Sequence, residues 1–583
     1  MSSPRFQQAL AEYQANRLEQ AETLLRSLLR TSPGDVNTLA LLGTVLGDKG
    51  VPEQAEFFLR RALSIDPSNG MLWGTLGDVL SQQGRNSDAI EAFKRAVQHW
   101  PDEARLHRAL CAALCDDGKP TEAIVHGRRA VELAPDDPWT YNNLLGALGA
   151  AGLTEQAIEV AEHGIRMHPR AGVLKQAVAF NLCYLASSNA AATAGRQFAM
   201  GRQLSDLIPN DDTPFTNTRE PDRALRIGLL SPDLRKHSVA YFLESFLPHI
   251  DRSRFTIYGY QCRSRDAMSA KLAAYCADFH TVDTIADAQI NTLVRSERID
   301  ILIDLAGHSS HTRLSAMVRR CAPVQATYLG YPATTGCRNI DYRIVDAITD
   351  PPGPVADSHC TEQLYRLPRC FLCYSPPGAP EPSINGGRPI TFASLNNTQK
   401  LSPHALAAWG RLLVRIPDSR LVIKTLSASA PEVSGRIRAA LADTGADLAR
   451  VEIRPYLKDF KAHLASYADI DIALDPWPYN GTTTTCETLW MGVPVVNLRG
   501  DNHVSRVGES LLTAVGLQEL VAPDIDSYID AAARLAADEP RRRHLRTSLR
   551  QQMAASDLCN GPSLARALEA AWRQMWRTYC AAN

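Results

Sequence analysis

The sequence predicts a helical solenoid followed by two consecutive doubly wound α/β units. Three observations carry this. Pro33, Pro67, Pro101, Pro135 and Pro169 stand 34 residues apart, and Gly50, Gly84, Gly118 and Gly152 keep the same step, as do Ala21, Ala55, Ala89, Ala123 and Ala157. The period stops at a polar stretch, 208–223, that holds Pro209, Asp211, Asp212, Pro214, Asn217 and Pro221. Beyond it, short apolar β-branched runs alternate with helical stretches, which is the pattern of parallel sheets covered on both faces.

A 34-residue period over five copies is that of the tetratricopeptide (TPR) repeat, a helix, a turn and a second helix. In the copy ending at Pro101, Leu72, Trp73, Leu76 and Leu80 share one helical face, and Ala89, Ile90, Phe93, Ala96 and Val97 share another. Gly43 and Gly77 stand where two helices approach closely, and Gly84 suits a left-handed helix end. The residue ahead of each proline leaves the α region, which closes the unit. The first copy is weaker, with Asn16 at the turn. Each repeat of such a solenoid touches only its neighbours, and the stack offers a concave face on which a protein or peptide acceptor would lie. After Pro169, residues 174–184 read as one more helix, 186–194 as a small polar stretch and 196–207 as a helix.

Two series of strands follow. The first is 225–230, 255–260, 300–305, 325–329 and 342–345. The second, after a Pro- and Gly-rich break at 375–389, is 390–395, 420–425, 451–454, 470–474 and 493–498. An amphipathic helix with Trp572 and Trp576 spans 564–579. The expected domains are therefore a TPR superhelix at 1–185, transition helices and linker at 186–223, and a first Rossmann-like unit at 224–375. A linker at 376–389 and a second unit at 390–583 complete them. Two such units enclose a crevice outside the carboxyl ends of their strands. This is the GT-B plan of many nucleotide-sugar transferases, shared by other enzyme classes, so fold alone does not assign a function.

Composition narrows the classes. Lys and Arg total 62 against 63 Asp and Glu, which carries no electrostatic footprint for nucleic acid. No apolar run approaches the roughly 20 residues of a membrane span, and there is no apolar leader, so a cytoplasmic location is expected. Among the 13 cysteines, Cys360, Cys370 and Cys373 cluster without partners at zinc spacing and read as reduced core or loop thiols.

Four segments carry candidate chemistry. In 480–487, Gly481 admits a close ligand, and Thr482, Thr483, Thr484 and Thr485 open a helix whose free N–H groups suit a diphosphate. Glu487, one turn in, suits a ribose hydroxyl. In the strand-to-helix loop 396–400, Asn396, Asn397, Thr398 and Gln399 precede Lys400, which is placed to neutralise a leaving phosphate. At the end of the first α/β strand, Asp233 and His237 stand four apart, so a helical turn would put them on one face to handle an acceptor's proton. The segment 328–336, with Leu329, Gly330 and Pro332, ends a strand in a glycine turn that could line a sugar pocket.

Together these segments and the repeats resemble the TPR-containing protein O-GlcNAc transferases and their bacterial relatives, over nearly the whole chain. The resemblance implies an inverting, metal-independent glycosyltransferase that moves GlcNAc from UDP-GlcNAc to Ser or Thr of proteins, with no cofactor. Related enzymes use GDP-fucose or UDP-glucose, and a catalytically silent TPR scaffold is the reading from another class. Carried over by motif, His237 matches the active-site histidine and Asp233 its neighbouring aspartate. Lys400 matches the lysine on the UDP diphosphate, Thr483 and Thr484 the phosphate-binding threonines, Glu487 the ribose acid and His463 a histidine of the nucleotide pocket. The chain departs from the family pattern at Thr482, where a sugar-loop histidine is expected, at His308, where a tyrosine is expected, and at 238–240, which follows His237 in place of Pro-Thr-Ser. The asparagine ladder of the solenoid is also missing: Asn142 and Asn143 meet Arg108 and Ala109 one repeat earlier. Asp469 and Asp471 form an Asp-x-Asp like the metal motif of another transferase architecture, but inside or beside a predicted strand.

Overall fold

The computed structural model describes residues 3–186, 189–376, 378–383 and 389–582. Residues 187–188 of the expected transition and 377 and 384–388 of the expected linker lie outside the described residues. The chain divides into two compact units, Met1–Ala151 and Gly152–Asn583.

The first unit is a stack of antiparallel helices: Pro4–Gln14, Leu18–Thr31, Val36–Asp48, Pro52–Ile65, Gly70–Gln82, Asn86–His99, Ala104–Asp116, Pro120–Leu133 and Pro138–Ala150. The inter-helix turns have positive φ at Asn16 (57°), Gly50 (75°), Gly84 (74°) and Gly118 (73°), so the periodic glycines are there for the left-handed cap. A Cβ on Gly43 would stand 2.6 Å from Leu59, and one on Gly77 2.6 Å from Phe93. The periodic alanines Ala21, Ala55, Ala89 and Ala123 are fully buried in one continuous core. Asn143 donates to the Arg108 carbonyl at 3.1 Å, so it ties neighbouring repeats together.

The unit boundary falls earlier than the expected 185. Helices Thr154–Met167 and Gly172–Asn181 continue the repeat pattern but belong to the second unit. Catalytic-side residues hold them there: Tyr331 Oη donates to the Ala179 carbonyl at 2.9 Å and Gln399 Nε2 to Asn181 Oδ1 at 2.6 Å. The stretch 186–194, read from sequence as small and polar, turns helical at Ala190 within Ala190–Asp206. Asn189 caps it by accepting from Ala192 N–H, and the alanines that follow are strong helix formers.

Two parallel sheets form the rest of the second unit. The first contains β1 (Leu225–Ser231), β2 (Phe255–Gln261), β3 (Asp278–Thr281), β4 (Ile301–Asp304), β5 (Val324–Tyr328), β6 (Tyr342–Asp346) and β7 (Gln363–Leu367), in the order β3-β2-β1-β4-β5-β6-β7. The second contains β8 (Ile390–Ser394), β9 (Ser419–Thr425), β10 (Val451–Pro455), β11 (Ile472–Leu474), β12 (Val495–Leu498) and β13 (Val521–Ala522), in the order β10-β9-β8-β11-β12-β13. In each sheet the chain order reverses beside the first strand, between β1 and β4 and between β8 and β11. Ligands of such sheets bind outside the carboxyl ends at that point.

The C-terminal helix, Gly561–Ala581, was expected with the second sheet but packs on the first. Trp572 meets Phe255 edge-on at 5.6 Å, Trp576 Nε1 donates to the Glu220 carbonyl at 3.0 Å, and Glu569 accepts from Asp251 N–H at 2.6 Å. Cys370 and Cys373 stand as Cys-x-x-Cys, and both are buried free thiols. Among the described residues no helix is long and apolar enough to cross a membrane.

Candidate active site

The sequence motifs sit at the carboxyl ends of β1, β5, β8 and β11, the strands at or next to the two reversal points. After β11 the chain turns through Asp475 to Asn480 and enters the helix Thr483–Trp490. Gly481 N–H donates to Asp475 Oδ1 at 2.7 Å, and a Cβ there would stand 2.9 Å from that oxygen. Thr482 precedes the helix and gives it no side-chain cap, so the N–H groups of its first turn are left for another acceptor. Thr482, Thr483 and Thr484 remain partly accessible, whereas Thr485 is buried.

Lys400 faces this turn from the β8 side. It ends the short turn Thr398–Lys400, donates from Nζ to the Asn480 carbonyl at 2.8 Å and lies 4.3 Å above the ring of Tyr479. Burial pulls its ammonium down to about 8, with the Asp475 charge opposing. Burial likewise pushes Asp475 up to about 7, against the Gly481 amide, the Asn497 amide and Lys400. Asn397 does not join them: it is exposed, and its side chain accepts from Gln399 N–H. Its neighbour Asn396 is buried, with Oδ1 unpartnered, and lines a small void with Thr484 and Thr485.

Glu487 is buried rather than open to a ribose. His463 Nε2 stands 3.0 Å from Glu487 Oε2, and Lys424 Nζ, at the carboxyl end of β9, meets His463 Nδ1. A lysine can only donate, so Nδ1 accepts and the ring proton sits on Nε2, donated to the carboxylate. Burial draws Lys424 down to about 8, with Glu487 opposing. Lys424 is a member of this cluster that motif reading missed; its sequence signal is a lysine closing the apolar run 421–423.

Asp233 and His237 meet, but not through a helical turn. The helix Ser238–Phe246 begins after His237, which is its N-cap: Nδ1 accepts from Val239 N–H at 3.3 Å. The bend before it brings Asp233 Oδ2 to 3.7 Å from the same nitrogen, beyond hydrogen-bond range. In neutral His237 the proton is therefore on Nε2. Burial raises Asp233, against the charges of His237, Arg263 and Arg235. One turn further on, Tyr241 is raised by burial and by the charges of Glu487, Tyr456 and Asp266.

Leu329 takes φ 47°, and Gly330 passes so close to the Leu305 carbonyl that any Cβ would overlap it. Leu329, Gly330 and Pro332 stay partly accessible while Tyr331 turns inward. An aromatic series joins this loop to Lys400: Tyr331 stacks on Phe180 at 6.4 Å, Phe180 meets Tyr184 edge-on at 5.6 Å, and Tyr184 stacks on Tyr479 at 4.5 Å. Sequence reading did not find Phe180 or Tyr184, although their i, i+4 spacing on the last repeat helix was visible. His308, in the expected tyrosine position, is buried with Nε2 2.7 Å from the Thr335 carbonyl, and burial lowers it to about 4.

The Asp-x-Asp pair is already engaged. Asp469 binds Arg454 and Arg420, and Asp471 accepts from Thr391 N–H at 2.9 Å. Among the described residues, Asp278, His280 and Glu297 bring three ligand-type side chains together, with Asp278 and His280 on the edge strand β3 and not at the crevice motifs.

Two Rossmann-like sheets with a lysine and an uncapped helix start at the crevice define a GT-B-type glycosyltransferase. The profile of glycosyl transferase family 41 matches residues 185–374 and 386–568, and tetratricopeptide profiles match 36–69 and 75–138. The chain belongs to glycosyl transferase family 41. It is 41% identical over 382 residues to the Arabidopsis thaliana protein named "Probable UDP-N-acetylglucosamine--peptide N-acetylglucosaminyltransferase SPINDLY", covering 63% of this chain and 41% of that protein. The correspondingly named Solanum lycopersicum protein is 40% identical, covering 65% and 42%. The Arabidopsis protein with the same enzyme name and the designation SEC is 26% identical, covering 61% and 38%. The chain thus matches about two-fifths of the length of these relatives. The structure of a mutant Thermobaculum terrenum O-GlcNAc transferase superposes with a TM-score of 0.81 at 33% identity, covering 88% of this chain and 99% of that one.

Proposed function

We propose that the protein transfers a sugar, GlcNAc from UDP-GlcNAc, to Ser or Thr hydroxyls of protein acceptors, with the repeats selecting the acceptor and no metal taking part. The observation that carries this reading is Lys400 Nζ, held 2.8 Å from the Asn480 carbonyl beside the uncapped Thr483 helix start. The diphosphate lies between the two, so the charge that gathers on it as it leaves meets an ammonium and a row of N–H donors already in place. Glu487, fixed by His463 and Lys424, takes the ribose side of the nucleotide.

The acceptor oxygen attacks the anomeric carbon from the face opposite the diphosphate. A C–O bond forms, the bond to the β-phosphate breaks, and the nucleoside diphosphate leaves with the electron pair, inverting the configuration. The hydroxyl proton passes to Asp233, directly or through water. Burial raises Asp233 toward its protonated form, and the Nδ1 lone pair of His237 is already taken by Val239 N–H, which favours Asp233 as the acceptor. His237 then donates to the sugar or the acceptor. Titration with UDP and GDP tests the reading. UDP binding supports UDP-GlcNAc, GDP binding moves the donor to GDP-fucose on the same scaffold, and binding of neither removes the enzyme reading in favour of a silent scaffold.

A further inference from the structure

A cavity of about 290 Å³ opens behind the Leu329–Pro332 turn, apart from the nucleotide cradle: Lys400, Asn480, Thr483, His463 and Glu487 are not among its walls. Its apolar side is made by Leu182, Ala194, Pro332, Pro352 and Val355. Its polar side includes Arg343, on β6, with Asp350, His359, Asp501, His503 and Arg506.

Arg343 is the unusual wall. It is 3% exposed, yet among the described residues its guanidinium donates from Nη1 to Cys360 Sγ at 3.5 Å and stands 3.6 Å from Asp350 Oδ1. This permanently charged side chain, almost wholly enclosed by protein, thus borders an open space with few polar partners among the described residues. A charged group held in that way points to a ligand of opposite charge that completes its hydrogen bonds. The guanidinium fork matches a carboxylate or a phosphate. Asp350 separates the two. His503 Nδ1 meets its Oδ2 at 2.6 Å, and although burial pushes its carboxyl up, His503 and Arg343 hold it at about 2, so it is ionised. One negative charge already adjoins Arg343, and a dianion would be repelled by it. Arg506 contributes the second positive charge; its Nε and Nη1 are held by the Gly500 and Ile348 carbonyls, leaving Nη2. The apolar side excludes a bare ion and suits a short hydrocarbon body.

We propose that this cavity is a second ligand site, taking a small organic monocarboxylate. It is built from both α/β units and borders both halves of the crevice. Pro332 closes the sugar loop, and the Val504 carbonyl in its wall accepts from Asn480 N–H at 3.2 Å, the residue that holds Lys400. A ligand here would act as an effector of donor turnover rather than as donor or acceptor.

The test uses the full chain with propionate as probe, and propionamide and inorganic phosphate as controls, followed by saturation-transfer NMR and calorimetry. Propionate is expected to bind at least tenfold more tightly than propionamide, and saturating UDP or GDP is expected not to displace it. Arg343→Met should abolish binding while nucleotide affinity stays within about twofold. Val355→Asp, at a position 69% exposed and so harmless to folding, should weaken propionate several-fold by adding charge at the mouth. Equal binding of propionamide, binding of phosphate alone, displacement by nucleotide, or no propionate binding up to about 50 mM would overturn the proposal. So would unchanged affinity in the Val355 variant, which keeps the test decisive should the buried Arg343 variant not fold.

Discussion

Replacing Lys400 by Met separates a residue that serves the reaction from one that serves the fold, because the two readings predict opposite signs. The fall of its ammonium from an ordinary 10.5 to about 8 converts, at roughly 1.4 kcal/mol per pH unit, to a folding cost of at most about 3 kcal/mol at neutral pH. The sign follows from proton counting. Between about 8 and 10.5 the unfolded chain binds the proton that the folded one has lost, so stability rises with pH across that window, and below 8 the full cost persists. Methionine removes the cost, together with the bond to the Asn480 carbonyl and the contact with Tyr479, each about 1 kcal/mol. The nucleotide-free protein should therefore become more stable by ~1 kcal/mol at pH 7. Nucleotide affinity should fall by ~10- to 100-fold, the scale of a charge-assisted bond, and turnover by ~10²-fold or more. Thermal melting without nucleotide, calorimetry with UDP and GDP, and initial rates measure the three quantities. In the wild type, affinity should be flat from pH 6 to about 8 and then decline as Lys400 loses its proton. A variant that is less stable yet binds nucleotide within twofold of wild type would refute the argument, since Lys400 would then be structural.

Asp233→Asn should cut turnover at least tenfold with nucleotide affinity unchanged, whereas His237→Ala should cut it less, because Val239 N–H already occupies the Nδ1 lone pair of His237; the reverse ranking would make His237 the base. Nucleotide binding and turnover should survive exhaustive chelation, because Lys400 and the Thr483 helix start supply the positive charge; loss on chelation with rescue by a divalent ion would reopen the role of metal. Removing residues 1–67 should leave nucleotide affinity within twofold and lower the modification of long protein acceptors, and equal modification would take acceptor selection away from those repeats.

The repeats were legible because their constraint is periodic: a glycine at a left-handed turn and an alanine at a close contact must recur at the same place. Central strands were legible for a different reason. Strands such as β1, β4 and β5 are covered on both faces and read as apolar runs. Strands β3, β7 and β13 were not legible for the same cause: edge strands have less to bury, so β3 carries Asp278 and His280 and β7 carries Gln363 and Arg366. In the crevice, strand-end motifs located Lys400 and the threonine helix because loop chemistry is written in consecutive residues. Lys424, Phe180 and Tyr184 line the same crevice from positions 24 to 220 residues away from Lys400 by sequence count, and their local signals, a lysine closing an apolar run and an i, i+4 aromatic pair, do not say which site they join. The C-terminal helix was assigned to the wrong sheet for a related reason. Its apolar stripe says that it packs, not on what, and only Phe255 and the Glu220 carbonyl decide that.

The perturbed groups of the crevice share one direction. Lys400 and Lys424 are drawn down, and Asp475 and Asp233 are pushed up, so each is moved toward its neutral form. Burial heads the causes in every case, not contact with a like charge, and that is the signature of a site held dry ahead of its ligand. Such burial is unfavourable in the empty protein, and a diphosphate relieves it by pairing with the buried Lys400 ammonium. The relief is largest when negative charge on the diphosphate is largest, which is as the glycosidic bond breaks. A surface lysine, solvated before and after, would hold substrate and transition state alike and would lower the barrier little. The aromatic stack from Tyr331 through Phe180 and Tyr184 to Tyr479 then has a mechanical role. It packs the Tyr479 ring beneath the ammonium, through Tyr184 and Phe180, against the Leu329–Pro332 loop, and so holds the position of that ring.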